Sequence, residues 1–180
     1  MALPEILKVS FEFSPKLGIR ELPRLDDDHQ SNVRGLYVVG DLADAPIIKV
    51  ALRQGYDVAR TVAQRLAAPA GDDILDVVIV GAGPAGIGAA LALQDTDLRC
   101  VVLERDRPFQ TIQNFPRHKM IFAEPREFEN PTNLWFGDAS REDLLDRWEE
   151  ALDDQTLPIR QPEEVESIER EGGMFTVRSQ

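Results

Sequence analysis

Cysteine is nearly absent from this sequence, because only Cys100 among the 180 residues carries a thiol. A single thiol excludes an internal disulfide and a CxxC redox pair, so no two-sulfur relay can form within the chain. Disulfides belong to oxidising compartments, and their absence favours a reducing one. Cys100 precedes an apolar run, and we expect it to be a small buried residue of the core.

Basic residues are scarce relative to acidic ones. The chain has 20 Lys and Arg against 32 Asp and Glu, a formal net charge of −12. Nucleic acid and anionic membrane surfaces would be repelled, so neither is an expected partner.

The N-terminal segment lacks a basic stretch followed by an apolar run and a small-residue cleavage site. No signal peptide is therefore evident, and a cytoplasmic location is expected.

Glycine is concentrated where the sequence is least polar. Residues 77–93 carry no charged side chain, contain four glycines and one proline, and are slightly short for a membrane span. Gly81, Gly83 and Gly86 form a GxGxxG pattern directly after an apolar strand-like run and before a helical run, 87–94. The first glycine permits a tight turn, the second lets the backbone approach a pyrophosphate, and the third lets helix and strand pack closely.

An acid follows the glycines at the position that this pattern requires. Glu104 ends the second predicted strand, 100–104, where its carboxylate would accept hydrogen bonds from an adenosine ribose and repel a 2′-phosphate. Strand, turn, helix and acid together predict a dinucleotide site, with Pro84, Ala85 and Arg105 as neighbouring contacts. A glycine-rich turn can also merely join a strand to a helix, and the pattern alone does not separate FAD from NAD.

The first third of the chain predicts two strands and a helix. Alternating apolar residues predict a short strand over 9–13, and the apolar run 35–41 predicts a short buried strand. Asp44 offers a cap for a helix over 48–66, where apolar residues recur at helical spacing. The small, polar segment 67–73 is typical of a linker.

Beyond residue 106 the sequence predicts a long loop, a helix and a hairpin. Ser140 and Asp143 resemble a capping box ahead of an apolar helical stripe. Segments 165–170 and 174–178 flank a Glu-Gly-Gly turn, which predicts a β-hairpin.

A second motif gives the chain a specific family resemblance. Residues 31–41, SNVRGLYVVGD, resemble the last FAD motif of the thioredoxin-reductase-like and glutathione-reductase-like flavoproteins, which are FAD-dependent pyridine-nucleotide-disulfide oxidoreductases. Ser31 stands where that motif has threonine, and Gly40 and Asp41 close it. The resemblance implies that Asp41 hydrogen-bonds the ribityl chain of FAD, and it favours FAD over NAD.

The resemblance implies two further groups of cofactor contacts. Amides near Pro46, Ile47 and Ile48 would face the flavin pyrimidine ring, where a positive helix end could stabilise a reduced, anionic flavin. Residues 110–120 resemble the loop after the ribose-binding acid in bacillithiol-disulfide-reductase-like flavoproteins. His118 would then lie along the flavin, or it is a surface histidine of a loop.

The order of the motifs departs from the family, because the GD motif ends at residue 41 and the glycine fingerprint begins only at residue 81. A circular permutation would leave both strands adjacent in one sheet. Alternatively, the tail of one flavoprotein-like module is joined to the head of the next. The NAD(P)H domain that normally follows the hairpin is absent from this sequence.

The sequence therefore predicts an α/β, Rossmann-like FAD/NAD(P)-binding fold, with a mostly parallel sheet, helices on both faces and a small antiparallel hairpin. Parts 1–70 and 71–180 are expected to form one FAD-binding domain of a flavin-dependent oxidoreductase. NAD(P)H would donate electrons through a domain not present here, and no catalytic side chain or metal is assigned.

The expected partner is a small-molecule redox substrate or an electron-acceptor protein, with a homodimer left open. Two alternatives stand beside this prediction. One is an NAD-binding Rossmann domain without flavin, in which Asp41 is incidental. The other is a non-catalytic remnant or fragment of a larger flavoprotein.

Overall fold

The computed structural model describes residues 7–9, 22–66, 71 and 73–180. In chain order its helices and strands are β1 (Leu7–Val9), α1 (Ile48–Arg65), β2 (Val77–Val80), α2 (Pro84–Leu93), β3 (Cys100–Leu103), α3 (Gln110–Gln113), β4 (Met120–Ile121), β5 (Ala139–Ser140), α4 (Arg141–Asp153), β6 (Ile159–Arg160), β7 (Val165–Glu171) and β8 (Met174–Ser179).

Strands β2, β3 and β6 form a parallel sheet in that order. Val77 pairs with Cys100, and Val102 pairs with Ile159. Because parallel neighbours need a crossover connection, the chain returns from the end of β2 to the start of β3 through α2. The predicted βαβ unit and the α/β, Rossmann-like class are confirmed.

Two antiparallel sheets accompany the parallel one. The predicted hairpin is present as β7 and β8, and β1 pairs with β7 to make a sheet of three strands, while β4 pairs with β5. Helix α4 begins as predicted, because the Ser140 hydroxyl accepts a hydrogen bond from the Asp143 amide at 3.1 Å. Trp148 of α4 is fully buried, and its ring lies 4.8 Å from that of Phe109, centroid to centroid.

Helices α1 and α2 approach each other through glycines. Helix α2 is apolar all round, and every residue from Ala85 to Leu93 is buried. A Cβ atom built on Gly55 would overlap the carbonyl oxygen of Ala85, and one built on Gly88 would overlap the carbonyl oxygen of Leu52. The two backbones therefore meet directly, which fixes the first part of the chain on the βαβ unit.

The predicted strand over 35–41 is wrong. Only Tyr37 forms a β-bridge, to Gln30, and the Val38 amide donates to the His29 carbonyl at 3.0 Å. Part of the backbone of this segment thus bonds to the turn just before it, and Gly40–Ala43 continue as a 3-10 helix. Burial of apolar side chains such as Val38 does not require a sheet.

The adjacent strands that a circular permutation would give, one of the two alternatives for the motif order, are not found among the described residues for the same reason. Within the described residues β2 is an edge strand, and Val80 at its end is 53% exposed. The predicted cap at Asp44 is also wrong. Helix α1 begins at Ile48 without a side-chain cap, whereas Asp44 ends the 3-10 helix in the left-handed region, at φ 59°.

Two further predictions fall largely outside the described residues. Only Val9 of the predicted strand over 9–13 is described, as the end of β1, and only Gly71 and Asp73 of the predicted linker are described. No helix in the described part of the chain is long and apolar enough to cross a bilayer.

Candidate nucleotide-binding site

The glycine turn joins the carboxyl end of β2 to α2, and its three glycines have different reasons to be there. Gly81 has φ +94°, a conformation that strains any residue with a Cβ. A Cβ on Gly86 would overlap the carbonyl oxygen of Gly81. Gly83 has an ordinary φ of −73°, and a Cβ there would meet no atom within 4 Å. The space in front of Gly83 is therefore open, as a bound phosphate requires.

The first turn of α2 presents unpaired backbone amides to this space. The first intrahelical hydrogen bond runs from the Ile87 amide to the Gly83 carbonyl, at 2.9 Å. The amides of Ala85 and Gly86 precede it and have no helical carbonyl to bond, while Pro84 has no N–H to leave unpaired. Together with the positive end of the helix dipole, these amides suit an anionic phosphate.

Glu104 is held beside the glycine turn by two backbone amides. Its carboxylate oxygens accept hydrogen bonds from the Ala82 amide at 2.6 Å and from the Asp106 amide at 2.8 Å. Each oxygen keeps a lone pair for a further donor, as a ribose hydroxyl would be. The carboxylate of Glu104 is therefore held at the edge of the glycine turn, where the sequence predicted an acid.

A cleft of about 420 Å³ opens at the carboxyl ends of β2 and β3, within the size range of small-molecule sites. Four of the predicted contacts line it: Gly81, Gly83, Glu104 and Arg105. The sequence analysis missed the other polar walls, which come from α3, the adjoining loop and the start of the hairpin. They are Asp106, Gln110, Thr111, Asn114, Glu163 and Glu164. Gln110, Thr111 and Asn114 belong to the segment 110–120 that resembles a flavoprotein loop, although none of them was singled out. Glu163 and Glu164 have no sequence motif, because the start of the hairpin reaches the cleft only in the folded chain.

The charge of the cleft is predominantly negative. Arg105 is its one cation, and this guanidinium is shared between Asp106 at 3.3 Å and Glu164 at 3.8 Å. A 2′-phosphate would face these carboxylates together with Glu104, whereas a free ribose diol would not be repelled. The cleft thus fits an adenosine without a 2′-phosphate.

The GD motif lies next to the glycine fingerprint. A Cβ on Gly40 would stand 3.1 Å from the Cβ of Ala85, so the two segments are in van der Waals contact. The Gly40 amide donates to the Gln54 side chain of α1 at 2.6 Å. Gly40 has φ +76°, and Asp41 follows it as an exposed residue of the 3-10 helix. The structure thus brings Gly40 and Asp41 to the start of α2.

Pro46, Ile47, Ile48 and His118, which were also predicted as contacts, do not line the cleft. Pro46, Ile47 and Ile48 lead into α1, and Ile47 is 46% exposed. His118 is exposed, with φ 59°, its amide donates to the Glu142 carboxylate, and it does not line the nucleotide cleft. The surface interpretation of His118 therefore describes its environment in this structure. Among the described residues no cluster of His, Cys, Asp and Glu could hold a metal ion.

The parallel sheet, the glycine turn and the acid at the end of β3 define a Rossmann-like α/β protein. A family model for pyridine nucleotide-disulphide oxidoreductases matches residues 78–180, which is more than half of the chain. The chain therefore belongs to the pyridine nucleotide-disulphide oxidoreductase family, as its two motifs predicted. The GD motif lies outside the matched residues, so its role depends on the geometry described above.

Two solved structures are similar to part of this chain. Bacillithiol disulfide reductase from Bacillus cereus is 25% identical, with a TM-score of 0.50, and the match covers 57% of this chain and 32% of that one. The enzyme from Staphylococcus aureus is 21% identical, with a TM-score of 0.48 and the same two coverages. The chain thus spans about a third of the length of these reductases. Comparison with curated proteins finds no match.

Proposed function

We propose that this chain is the FAD-binding part of a cytoplasmic flavoprotein reductase that takes electrons from NAD(P)H. The cleft at Glu104 would hold the adenosine diphosphate half of FAD, and the Gly40 side would hold the flavin half. The contact between Gly40 and Ala85 carries this proposal, because it puts the GD motif beside the phosphate-binding turn. An NAD-binding domain would have no use for that juxtaposition.

Each part of the site would have a distinct task. The amides of Ala85 and Gly86 would bind the pyrophosphate, and the Glu104 carboxylate would accept from the ribose hydroxyls. Asp41 would accept from the ribityl chain. The amides of Ile47 and Ile48, at the positive end of α1, would face the pyrimidine ring, where negative charge develops on reduction. Pro46 has no N–H and would contribute shape alone. When bound, FAD supplies the hydride chemistry, and these residues bind and orient it.

The electron donor and acceptor would both come from outside the described residues. NAD(P)H would act through residues other than those that the structure describes. The relatives are named as reductases of a small-molecule disulfide, which supports a small-molecule disulfide or an electron-acceptor protein as the oxidant. The single thiol of this chain cannot form a two-sulfur relay, so the acceptor would be reduced without a cysteine pair from these residues.

A comparison of ADP with FAD tests the proposal. Both ligands would use the cleft at Glu104, but only FAD would reach Asp41. We expect the purified chain to bind FAD more tightly than ADP in calorimetric titrations. Asp41→Asn should weaken FAD binding by about tenfold and leave ADP binding unchanged, since a hydrogen bond to a charged group contributes roughly 1.5–3 kcal/mol. Asp44→Asn, three residues further on and also exposed, is the matched control.

Two results would contradict the proposal. Equal affinities for ADP and FAD that do not respond to Asp41→Asn would mean that the GD motif is incidental, and tight NAD binding under those conditions would favour the flavin-free alternative. Failure to bind ADP would instead show that the glycine turn is not a nucleotide site at all.

A further inference from the structure

Lys49 is the only charged residue that is buried in the described part of the chain, with 7% of its surface exposed. It is the second residue of α1, where the positive end of the helix dipole disfavours a cation. Its ammonium donates one hydrogen bond, to the Pro125 carbonyl at 2.8 Å. No carboxylate of the described residues lies within ion-pair distance of it. A buried charge with so little compensation is unfavourable unless an anion joins it.

The Lys49 side chain lines a second cleft, of about 360 Å³, which shares no residue with the nucleotide cleft. Its other walls are Ala123, Arg126, Phe136, Gly137 and Asp138. Phe136 gives the cleft an apolar aromatic wall, and Arg126 stands at its mouth, with 73% of its side chain exposed. The cleft therefore combines an enclosed cation with room for a small ligand.

The carboxylates around this cleft already have partners. Asp138 accepts from the Ala123 amide at 2.8 Å with one oxygen and pairs with Arg126 at 3.2 Å with the other. Glu124 pairs with the same guanidinium at 3.1 Å. These contacts satisfy Arg126 and both acids, and they leave the Lys49 ammonium without a neutralising group at contact distance.

We propose that this cleft is an oxyanion-binding site, in which the Lys49 ammonium receives a carboxylate or phosphate group of a small ligand. The positive end of α1 adds to the attraction within its first turn. Phe136 accommodates the apolar part of the ligand, while Arg126 stays paired with Glu124 and Asp138 at the mouth. The cleft shares no lining residue with the nucleotide cleft, but Lys49 directly follows Ile47 and Ile48, whose amides the function proposed above assigns to the flavin.

The test uses the full chain with inorganic phosphate and acetate as probes, titrated at constant ionic strength with chloride as the reference salt. Calorimetry and, for phosphate, ³¹P NMR line broadening report binding. We expect saturable binding of at least one probe, and the preferred probe distinguishes a phosphate from a carboxylate ligand. Lys49→Met should weaken binding by about tenfold or more, whereas Lys119→Met, outside the cleft, should not.

A second variant and a competition measurement complete the test. Ala123→Leu narrows the cleft with Lys49 in place and should also weaken binding, which covers the case that Lys49→Met does not fold. Saturating ADP should leave phosphate binding unchanged. Absence of saturable binding of either probe, equal binding by wild type and both cleft variants, or competition between phosphate and ADP would each overturn the proposal.

Discussion

Gly55 of α1 lies directly against the carbonyl oxygen of Ala85 in α2, with no side chain between the two backbones. Gly40 contacts the methyl group of the same alanine. Ala85 stands within the glycine fingerprint, so both contacts anchor Gly40 and α1 at the glycine turn. The spacing of α1 and α2 therefore determines how close the GD motif comes to the nucleotide site.

Gly55→Ala should reduce the free energy of unfolding. A glycine-to-alanine change in an exposed helix position stabilises the helix by roughly 0.5–1 kcal/mol. A loss of stability would therefore show that the contact with α2 outweighs this gain. Here the new methyl group overlaps backbone, and overpacking of this kind costs about 1–3 kcal/mol. Urea unfolding measures the change. Gly71→Ala, where a Cβ meets no atom within 4 Å, serves as the control and should change stability by less than about 0.5 kcal/mol.

Replacement by alanine should affect ligand binding at the second glycine of the fingerprint and stability at the third. Gly83→Ala places a methyl group in open space at the cleft, so it should weaken ADP and FAD binding and change the free energy of unfolding by less than about 0.5 kcal/mol. Gly86→Ala places its methyl group on the Gly81 carbonyl and should destabilise the fold by about 1–3 kcal/mol. Calorimetry and urea unfolding on both variants separate the effects. Equal loss of stability in both would contradict the distinction.

Local patterns predicted the βαβ unit, α4 and the hairpin because each of these elements is specified by its own neighbours in the chain. The glycines at 81 and 86 are demanded by backbone geometry within one turn, and Ser140 caps α4 through a residue three positions away. The position of Glu104 beside the glycine turn was predictable because its distance from the fingerprint is set by the length of one helix and one strand. These features depend on contacts that are short in sequence.

Long-range contacts determined what the sequence did not reveal. The segment 35–41 has the composition of a buried strand, but whether it joins a sheet depends on a neighbouring strand, and its backbone bonds to His29 and Gln30 instead. Burial of Lys49 depends on the Pro125 carbonyl, far away in the chain. No periodicity within either segment carries that information.

Glu104→Gln should weaken ADP and FAD binding to a similar extent, because both ligands place a ribose at this acid. The amide nitrogen of glutamine cannot accept a hydrogen bond, so either the Ala82 amide or the Asp106 amide loses its acceptor. We expect about tenfold weaker binding and a loss of roughly 1 kcal/mol in stability. Glu149→Gln, on the exposed surface of α4, is the control. A loss confined to FAD would place the ribose elsewhere.

The turn before the GD motif should depend on pH through Asp26. The pKa of this carboxyl is lowered below 3.8, first because the Gln30 amide donates to it at 2.8 Å, with the Asp28 amide adding a bond at 3.0 Å. Because the pKa of Asp26 is lower in the folded chain than in the unfolded chain, the ionised carboxyl stabilises the fold at pH values above its unfolded pKa. This stabilisation is lost as the pH falls through its folded pKa. A ¹³C NMR titration of the carboxyl should therefore give a midpoint below 3.8, and a higher midpoint in urea. If the titration midpoints of Asp26 in the folded chain and in urea were equal, Asp26 would not make the stability depend on pH.

Cys100 should react slowly with alkylating reagents in the folded chain. Burial raises the pKa of its thiol, so less thiolate is present at a given pH, and the thiolate is the reactive form. The side chain is half-buried at the start of β3, where it pairs across the sheet with Val77 rather than facing the nucleotide cleft. Iodoacetamide labelling at pH 8, followed by mass spectrometry, should be several times slower than in the urea-unfolded chain.

Cys100→Ala should leave FAD affinity unchanged, since nothing in the proposed site uses the sulfur. Labelling as fast as in urea, or a loss of FAD binding in the alanine variant, would instead assign the thiol a part in the site.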